Sequence, residues 1–302
     1  MSSSLWSTED QKKVFRTLWQ DRSHYGTDSS SKSWDECADE WEKGLREDKK
    51  RKARSDRRVS ETAAWLRAHG LLAGNQTAVD IGCGPGRFVT EFARTAKHVT
   101  GIDLSPNMAR YGQRCAEENG LHNTDFIACD FKTADIKERG WEKAFDLVFS
   151  SITPAVCTPE DVARIETMSR AYCFNSSFIH ADDPLAVEAL AEAMPGEDYG
   201  KAWDGRVFYS MFNLLWLRGR TPECTYFKES RVDRLRADDA LVDKITQRID
   251  PERVTPEVRQ KMLRFLKSRA DAEGFVDYPS ERWYGWLLWD VRVKLDRSYF
   301  PF

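Results

Sequence analysis

Three glycines and two aspartates in the first half of the chain have the spacing of a nucleoside-binding site. Residues 79–88 read VDIGCGPGRF, so an apolar run ends in Gly82, Gly84 and Gly86 before an amphipathic stretch begins. Glycine permits sharp backbone turns and lets a ligand lie against the main chain, and the free N–H groups at a helix start favour an anionic group. Asp103, at the end of the next apolar run, is placed to accept hydrogen bonds from both ribose hydroxyls. This pattern predicts a ligand that contains a nucleoside.

The third apolar run also ends in an acidic residue, within Cys129-Asp130-Phe131. The carboxylate of Asp130 could accept a hydrogen bond from an exocyclic amine, and the ring of Phe131 could pack on a base. The dinucleotide fingerprint would place its third glycine at position 87, where this chain has Arg87. The spacing therefore favours a nucleoside and weakens the case for a nicotinamide dinucleotide. Taken alone, either aspartate is more often a cap at a strand-to-helix junction, but their joint placement with the glycine turn favours a binding site.

The elements that must position these residues alternate between short apolar runs and amphipathic stretches, a pattern typical of βαβ units. Strands are predicted at residues 77–81, 98–103, 125–130, 145–150 and 172–179, with two more at 225–232 and 283–293. We predict an α/β fold, a doubly wound, Rossmann-like and mostly parallel seven-stranded sheet with a helical N-terminal extension and helical insertions. Ligands of such sheets bind at the carboxyl ends of the strands, which is where the glycines and aspartates fall.

Two regions are predicted along the chain. Residues 1–74 form a helical extension that could act as a lid, and residues 75–302 form the sheet domain, with insertions at about 181–220 and 234–280. A lid would exclude water from a site and complete it. The length and aromatic content of the extra segments favour an enclosed pocket for a small molecule.

Composition limits the partners and the compartment. The 302 residues have a formal net charge of −3, so there is no overall positive field to attract nucleic acid. Residues 43–58 contain nine basic and three acidic residues, which could hold RNA, although a solvated helix face is the commoner reason for such a run. The seven cysteines are scattered without a CxxC pair, which favours a reducing compartment and no metal site. With no long apolar run, the chain is predicted to be cytoplasmic and without a membrane partner.

The stretch Asp80-Ile81-Gly82-Cys83-Gly84-Pro85-Gly86 resembles the first motif of the class I S-adenosylmethionine-dependent methyltransferases. The resemblance covers residues 75–180 well and the last two predicted strands loosely. It implies an enzyme that binds S-adenosylmethionine and releases S-adenosylhomocysteine. The residues that it implies for cofactor binding are Asp80, Gly82, Cys83, Gly84, Gly86, Asp103, Leu104, Met108, Asp130, Phe131 and Ser150.

The resemblance does not assign a general base. It places Ser150 and Ser151, at the end of the fourth strand, where the family meets the substrate and the methionine amine. His180, after the fifth predicted strand, and His24 and Tyr25, on the extension, are weak candidates for catalysis. A sulfonium methyl group is already activated, so positioning of the two reactants is expected to matter more than proton transfer.

Three functions remain open. The first and preferred one is methyl transfer to an oxygen, nitrogen or sulfur atom of a small molecule, with nucleic acid an unlikely partner and the oligomeric state unknown. The second is methylation of RNA or protein through the basic run, which includes residues 49–58. The third is a nonenzymatic nucleoside-binding protein, or a nicotinamide oxidoreductase with an atypical turn.

Overall fold

The computed structural model describes residues 7–20, 31–196, 199, 205–247 and 249–296. Within these ranges the strands are β1 (Thr77–Ile81), β2 (His98–Asp103), β3 (Thr124–Ala128), β4 (Phe145–Ser151), β5 (Ser169–Asp182), β6 (Glu223–Arg236) and β7 (Phe275–Asp290). The α-helices are α1 (Thr8–Gln20), α2 (Ser31–Glu47), α3 (Lys49–Ala68), α4 (Arg87–Ala93), α5 (Pro106–Glu118), α6 (Pro159–Met168), α7 (Pro184–Ala193), α8 (Arg206–Leu217), α9 (Asp239–Thr246) and α10 (Pro256–Arg269). None of the helices in the described part of the chain is long and apolar enough to cross a membrane.

The strands form one seven-stranded sheet in the order β3-β2-β1-β4-β5-β7-β6. The pairs β1 with β2, β1 with β4, β2 with β3 and β4 with β5 are all parallel. The strand order reverses between β1 and β4, and ligands of open α/β sheets bind at such a switch point. The predicted fold class is confirmed.

The strand bounds agree closely with the prediction at the start of the sheet and less closely at its end. Strands β1 and β2 have the predicted limits, whereas β3 ends at Ala128, so that Cys129 and Asp130 lie in the following loop. Strand β5 continues to Asp182, and the prediction that His180 follows this strand is wrong. The reason is that a strand with an exposed face continues through polar residues, which the apolar run alone does not register.

The chain divides into two compact units, and the first comprises residues 1–176, 209–224 and 286–302. On one face of its sheet, Phe149 and Phe174 stack with ring centroids 4.8 Å apart. Phe88 and Phe92, one turn apart on the same face of α4, contact Phe149 with ring centroids 4.7 and 4.9 Å away. Aromatic rings remove a large apolar area from water, so this cluster fixes α4, and the glycine turn before it, against β4.

The second unit comprises residues 177–208 and 225–285. Helices α7, α9 and α10 supply most of its core, which includes the fully buried residues Ala186, Val242, Ile245, Met262 and Leu266. The salt bridge from Arg282 to the buried Asp183 measures 2.9 Å. The predicted boundary between residues 74 and 75 stays a prediction.

Candidate functional site

The glycine turn after β1 is hydrogen-bonded to the end of β2. Gly82 and Gly84 have φ angles of 71° and 52°, in the left-handed region that favours glycine. The N–H groups of Gly82 and Cys83 donate to the carbonyl of Ile102 at 2.8 and 3.1 Å, and the N–H of Gly84 donates to Asp103 Oδ2 at 2.8 Å. A Cβ built on Gly84 meets no atom within 4 Å, so the turn faces open space at this residue.

Gly86 has a different role, because it lies against the ring of Phe126 from β3. A Cβ on Gly86 would lie 2.5 Å from Phe126 Cε1, and one on Gly101 would lie 2.9 Å from Phe126 Cδ1. Gly112, inside α5, also packs against this ring. Three glycines therefore create the slot for one aromatic ring. Gly101 and Gly112 were not predicted to have this role, although a glycine inside a strand or helix is typical of such a close approach.

Asp103 links the turn to the loop between β2 and α5. Its Oδ1 accepts a hydrogen bond from the N–H of Ser105 at 2.9 Å, while Oδ2 holds Gly84. Burial raises the pKa of Asp103, the backbone hydrogen bonds oppose that rise, and the nearby charge of Asp35 adds to it. Ser105 caps α5 by accepting from the N–H of Met108 at 3.1 Å. The carboxylate thus stands at the sheet edge, fixed by the main chain on both sides.

Asp80 and Cys83 are buried beneath the turn. Asp80 is 2% exposed, and among the described residues its Oδ2 has no hydrogen-bond partner. Burial, followed by the charge of Asp103, raises the pKa of Asp80 well above its usual value. A buried acceptor without a partner fits a ligand that supplies a donor or a positive charge. Burial also raises the pKa of Cys83, which keeps the group a thiol and fits a packing role better than a nucleophilic one.

The next loop, after β3, is largely occupied by its own contacts. Asp130 accepts hydrogen bonds from the N–H of Lys132 at 2.9 Å and from Thr133 Oγ1 at 3.0 Å. Phe131 is 3% exposed, and the guanidinium of Arg164 lies 5.3 Å from the centre of its ring. Asp130 therefore acts at least as a local cap. Its carboxylate still has lone pairs for a further donor, and the contact of Phe131 with a base stays a prediction.

The end of β4 turns sharply beside the glycine turn. Ser150 is fully buried, where its Oγ donates to the carbonyl of Phe174 at 3.2 Å and accepts from Asn175 Nδ2 at 3.0 Å. Ile152 follows with a φ of 51° and donates its N–H to the carbonyl of Ser176 at 2.8 Å. The side chain of Thr153 then fills the space that a Cβ on Gly82 would need. Neither Ile152 nor Thr153 was singled out from the sequence.

The helices of the N-terminal extension contact the loops at this edge. Asp35 of α2 accepts hydrogen bonds from the hydroxyl of Ser105 and, at 3.2 Å, from the N–H of Asn107. Ser31 Oγ donates to the carbonyl of Leu104 at 3.1 Å. Helix α2 therefore lies along the loop that follows Asp103.

Helix α1 reaches the region after β4. Trp19, which is 1% exposed, donates its indole N–H to the carbonyl of Cys157 at 2.6 Å. Arg16 forms a salt bridge of 2.6 Å with Glu160 at the start of α6. His24 and Tyr25 lie outside the described residues, and His180 is an exposed residue of β5 in the second unit. In the described ranges, no three His, Cys, Asp or Glu side chains are grouped so that they could hold a metal ion.

Parts of this chain resemble known proteins. Residues 72–213 match a family model described as a methyltransferase domain. The 23S rRNA (uracil(1939)-C(5))-methyltransferase RlmD of Hahella chejuensis is 32% identical over 112 residues, which cover 36% of this chain and 24% of that protein. "Probable (S)-tetrahydroprotoberberine N-methyltransferase 2" of Papaver bracteatum is 37% identical over 79 residues, or 26% of this chain and 21% of that protein.

The chain spans a quarter or less of the length of these curated relatives. Among solved structures, magnesium protoporphyrin IX methyltransferase from Synechocystis PCC 6803 with bound S-adenosylmethionine is 16% identical. It aligns over 74% of this chain and 90% of its own, with a TM-score of 0.40.

The relatives correct one prediction. The expectation of a small-molecule partner, with nucleic acid unlikely, is contradicted by the 23S rRNA methyltransferases from several bacteria among them. The expectation rested on the length and aromatic content of the extra segments, on the net charge of the whole chain and on interpreting the basic run at residues 43–58 as a solvated helix face. The match to a methyltransferase domain agrees with the predicted enzyme class, to which the predicted cofactor S-adenosylmethionine belongs. Residues 72–213 of this chain are thus similar to methyltransferase domains.

Proposed function

We propose that this chain transfers the methyl group of S-adenosylmethionine to RNA. The observation that carries the cofactor part of the proposal is the open turn at Gly84, whose N–H is held by Asp103 Oδ2 at 2.8 Å at the carboxyl edge of the sheet. S-adenosylmethionine, when bound, supplies a sulfonium-activated methyl group that an acceptor atom can displace. The work of the protein is then to hold the two reactants in line and to exclude water.

The buried acids and the turn are assigned to the cofactor by their chemistry. Asp103 can accept from both ribose hydroxyls, because each carboxylate oxygen has a lone pair beyond the one that holds a backbone N–H. Asp80 Oδ2 is buried without a hydrogen-bond partner in the described structure, which suits the ammonium group of the methionine part. The positive charge of that group would oppose the rise that burial causes in the pKa of Asp80. Gly84 leaves room for the ligand to lie against the main chain.

The acceptor is assigned from the relatives and from the charge on α3. Lys49 and Lys52 are exposed and three residues apart, so they lie on one face of the helix. Like charges at this spacing repel each other, and a phosphate backbone beside them would relieve the repulsion. Further along α3, Arg57 is balanced by Glu61 at 2.6 Å. The start of α3 is therefore the part of the helix best suited to hold RNA.

Transfer of tritiated methyl groups tests the proposal. Wild-type protein and labelled cofactor are incubated with total RNA or with a metabolite extract, and label is counted in each fraction. We expect label in RNA, and a flatter salt dependence with a several-fold higher KM for RNA in the double variant Lys49→Gln, Lys52→Gln. Arg264 and Lys267, also exposed and three residues apart on α10, provide the matched control R264Q/K267Q.

Two results would contradict parts of the proposal. Label that enters only the metabolite fraction would reject RNA as the acceptor while leaving the methyltransferase activity in place. Failure of the wild-type protein to bind S-adenosylmethionine in calorimetry would reject the activity itself.

A further inference from the structure

We infer that the side chain of Ile152 is a specificity-determining contact, which packs on the ring of the acceptor that receives the methyl group. The inference rests on the proposed function, since it requires a methyl acceptor at this edge of the sheet. It goes beyond the cofactor site because Ile152 contacts neither the glycine turn nor the aspartates in any hydrogen bond that the structure describes.

Ile152 has a backbone conformation that disfavours its residue type. Its φ of 51° places it in the left-handed region, where the Cβ of an L-residue crowds the backbone and a β-branched side chain is an outlier. Among the described residues, Leu72 and Lys143 also have a positive φ, but neither is β-branched. Leu72 is 1% exposed, so the burial of its side chain compensates for the backbone cost. Ile152 is 42% exposed and lacks that compensation.

The conformation of Ile152 has a structural use that does not need isoleucine. Ser151 pairs in register with Ser176, and the N–H of Ile152 donates to the carbonyl of Ser176 at 2.8 Å. The turn that follows brings the side chain of Thr153 against Gly82. Glycine or asparagine would make the same turn with less strain, because both residues enter the left-handed region readily. The isoleucine side chain is what remains to be explained.

The position of this side chain points to the acceptor. Ile152 directly follows β4, the strand that lies beside β1 at the point where the strand order reverses. Its neighbour Thr153 touches the glycine turn, so Ile152 stands one residue from the proposed cofactor site. An exposed branched apolar side chain at this point can cover one face of a planar ring and remove it from water. A nucleobase presents such a face, whereas a phosphate or a sugar does not.

Lys143, which lies just before the same strand, offers a matched control. It precedes β4 by two residues, has a φ of 48° and is exposed, but it lies at the opposite end of the strand from Ile152. Lys143→Gly therefore makes the same kind of backbone change far from the carboxyl edge. A difference between the two sites reports the place of the side chain in the molecule and not the relief of strain.

The test measures steady-state methyl transfer for the wild type, I152G, I152N, I152V and K143G. The acceptor is the fraction, RNA or metabolite extract, that the wild type labels. Since burial of one aliphatic side chain is lost, we expect I152G and I152N to raise the KM for the acceptor about tenfold or more. The dissociation constant for S-adenosylmethionine, measured by calorimetry, should change less than about twofold. I152V and K143G should behave as the wild type.

Each result decides the inference. A wild-type KM in both I152G and I152N would overturn it, since the turn would then serve Thr153 alone. An equal weakening of cofactor and acceptor would also overturn it, because the residue would then belong to the cofactor site. Absence of methyl transfer by the wild type to either fraction would overturn the proposed function together with this inference. A changed KM on a metabolite instead of RNA would support Ile152 and reject only the RNA acceptor.

Discussion

The loops that follow β2 and β4 lie at the same edge of the sheet but are stabilised in different ways. After β2, Asp103, Ser105 and Asp35 satisfy one another and the nearby backbone in a connected set of hydrogen bonds. After β4, the exposed Ile152 is held in a left-handed conformation mainly by its N–H bond to Ser176. The first loop is complete within the chain. In the second loop, no burial of the Ile152 side chain offsets the strain of its left-handed backbone in the described structure, and strained residues concentrate at functional sites.

The largest effect is expected from the first loop. Asp103→Ala removes the proposed ribose ligand together with the acceptor that holds Gly84 and Ser105. Hydrogen bonds to a charged group contribute about 1.5–3 kcal/mol each, so we expect binding of S-adenosylmethionine to weaken at least about a hundredfold in calorimetry. The control is Asp125→Ala, which removes from β3 a carboxylate that pairs with His98 of β2. It should leave binding unchanged. Wild-type affinity in Asp103→Ala would show that the ribose binds elsewhere.

The glycine turn allows strain and ligand contact to be separated. Gly84 and Gly70 have φ angles of 52° and 72°, and a Cβ on either meets no atom within 4 Å. Alanine at each position should lower the free energy of unfolding by about 1 kcal/mol, because both residues are left-handed. Only Gly84→Ala should weaken cofactor binding, by about tenfold, since its Cβ enters the space assigned to the ligand. Equal cofactor affinity in the two variants would place the ligand away from Gly84.

Much of the first loop could be predicted from the sequence, because its signals are local. Gly82, Gly84 and Asp103 stand directly at strand ends, and the apolar runs marked β1 and β2 at their observed limits. The contact of Asp35 with Ser105 joins residues seventy positions apart, and neither the charge nor the periodicity of α2 indicates it. The left-handed turn at Ile152 could not be predicted either, since isoleucine is among the residues least suited to it. Local pattern thus locates the glycines and Asp103 of the first loop, whereas tertiary contacts determine the place of α2 and the turn at Ile152.

The raised pKa of Asp80, which is buried beneath the first loop, predicts that the stability of the folded protein depends on pH. Its pKa is raised in the folded protein by burial, so the folded state holds the proton more tightly than the unfolded state does. The stability that this proton contributes is present below about pH 3.8, the ordinary value, and is lost as the pH rises through the folded pKa. Asp80→Asn should therefore raise the free energy of unfolding at pH 7, because the charged form of the buried carboxyl group is no longer present.

Urea unfolding at several pH values checks this expectation. The advantage of Asp80→Asn should fade as the pH falls toward 3.8, where the carboxyl group is protonated in both the folded and the unfolded state. Saturating S-adenosylmethionine should stabilise the wild type more than Asp80→Asn, since the proposed ammonium contact needs the carboxylate. A variant that is less stable than the wild type at pH 7 would mean that the carboxylate has a favourable partner in the folded chain.

The smallest effect is expected at the second loop, as a change in the free energy of unfolding. This change tests whether the strain at Ile152 is offset within the chain. Relief of the left-handed conformation at Ile152 is worth about 1–2 kcal/mol. Glycine loses about 0.5–1 kcal/mol of that through its greater freedom in the unfolded state. The exposed side chain adds little in either direction, so urea unfolding should show Ile152→Gly to be about 0.5–1 kcal/mol more stable than the wild type. Lys143→Gly, at the other end of β4, should gain a similar amount.

If Ile152→Gly were instead less stable than the wild type while Lys143→Gly gained, the isoleucine side chain would be stabilising the fold itself. Both loops would then be complete within the chain, and the strain at Ile152 would no longer point to an acceptor.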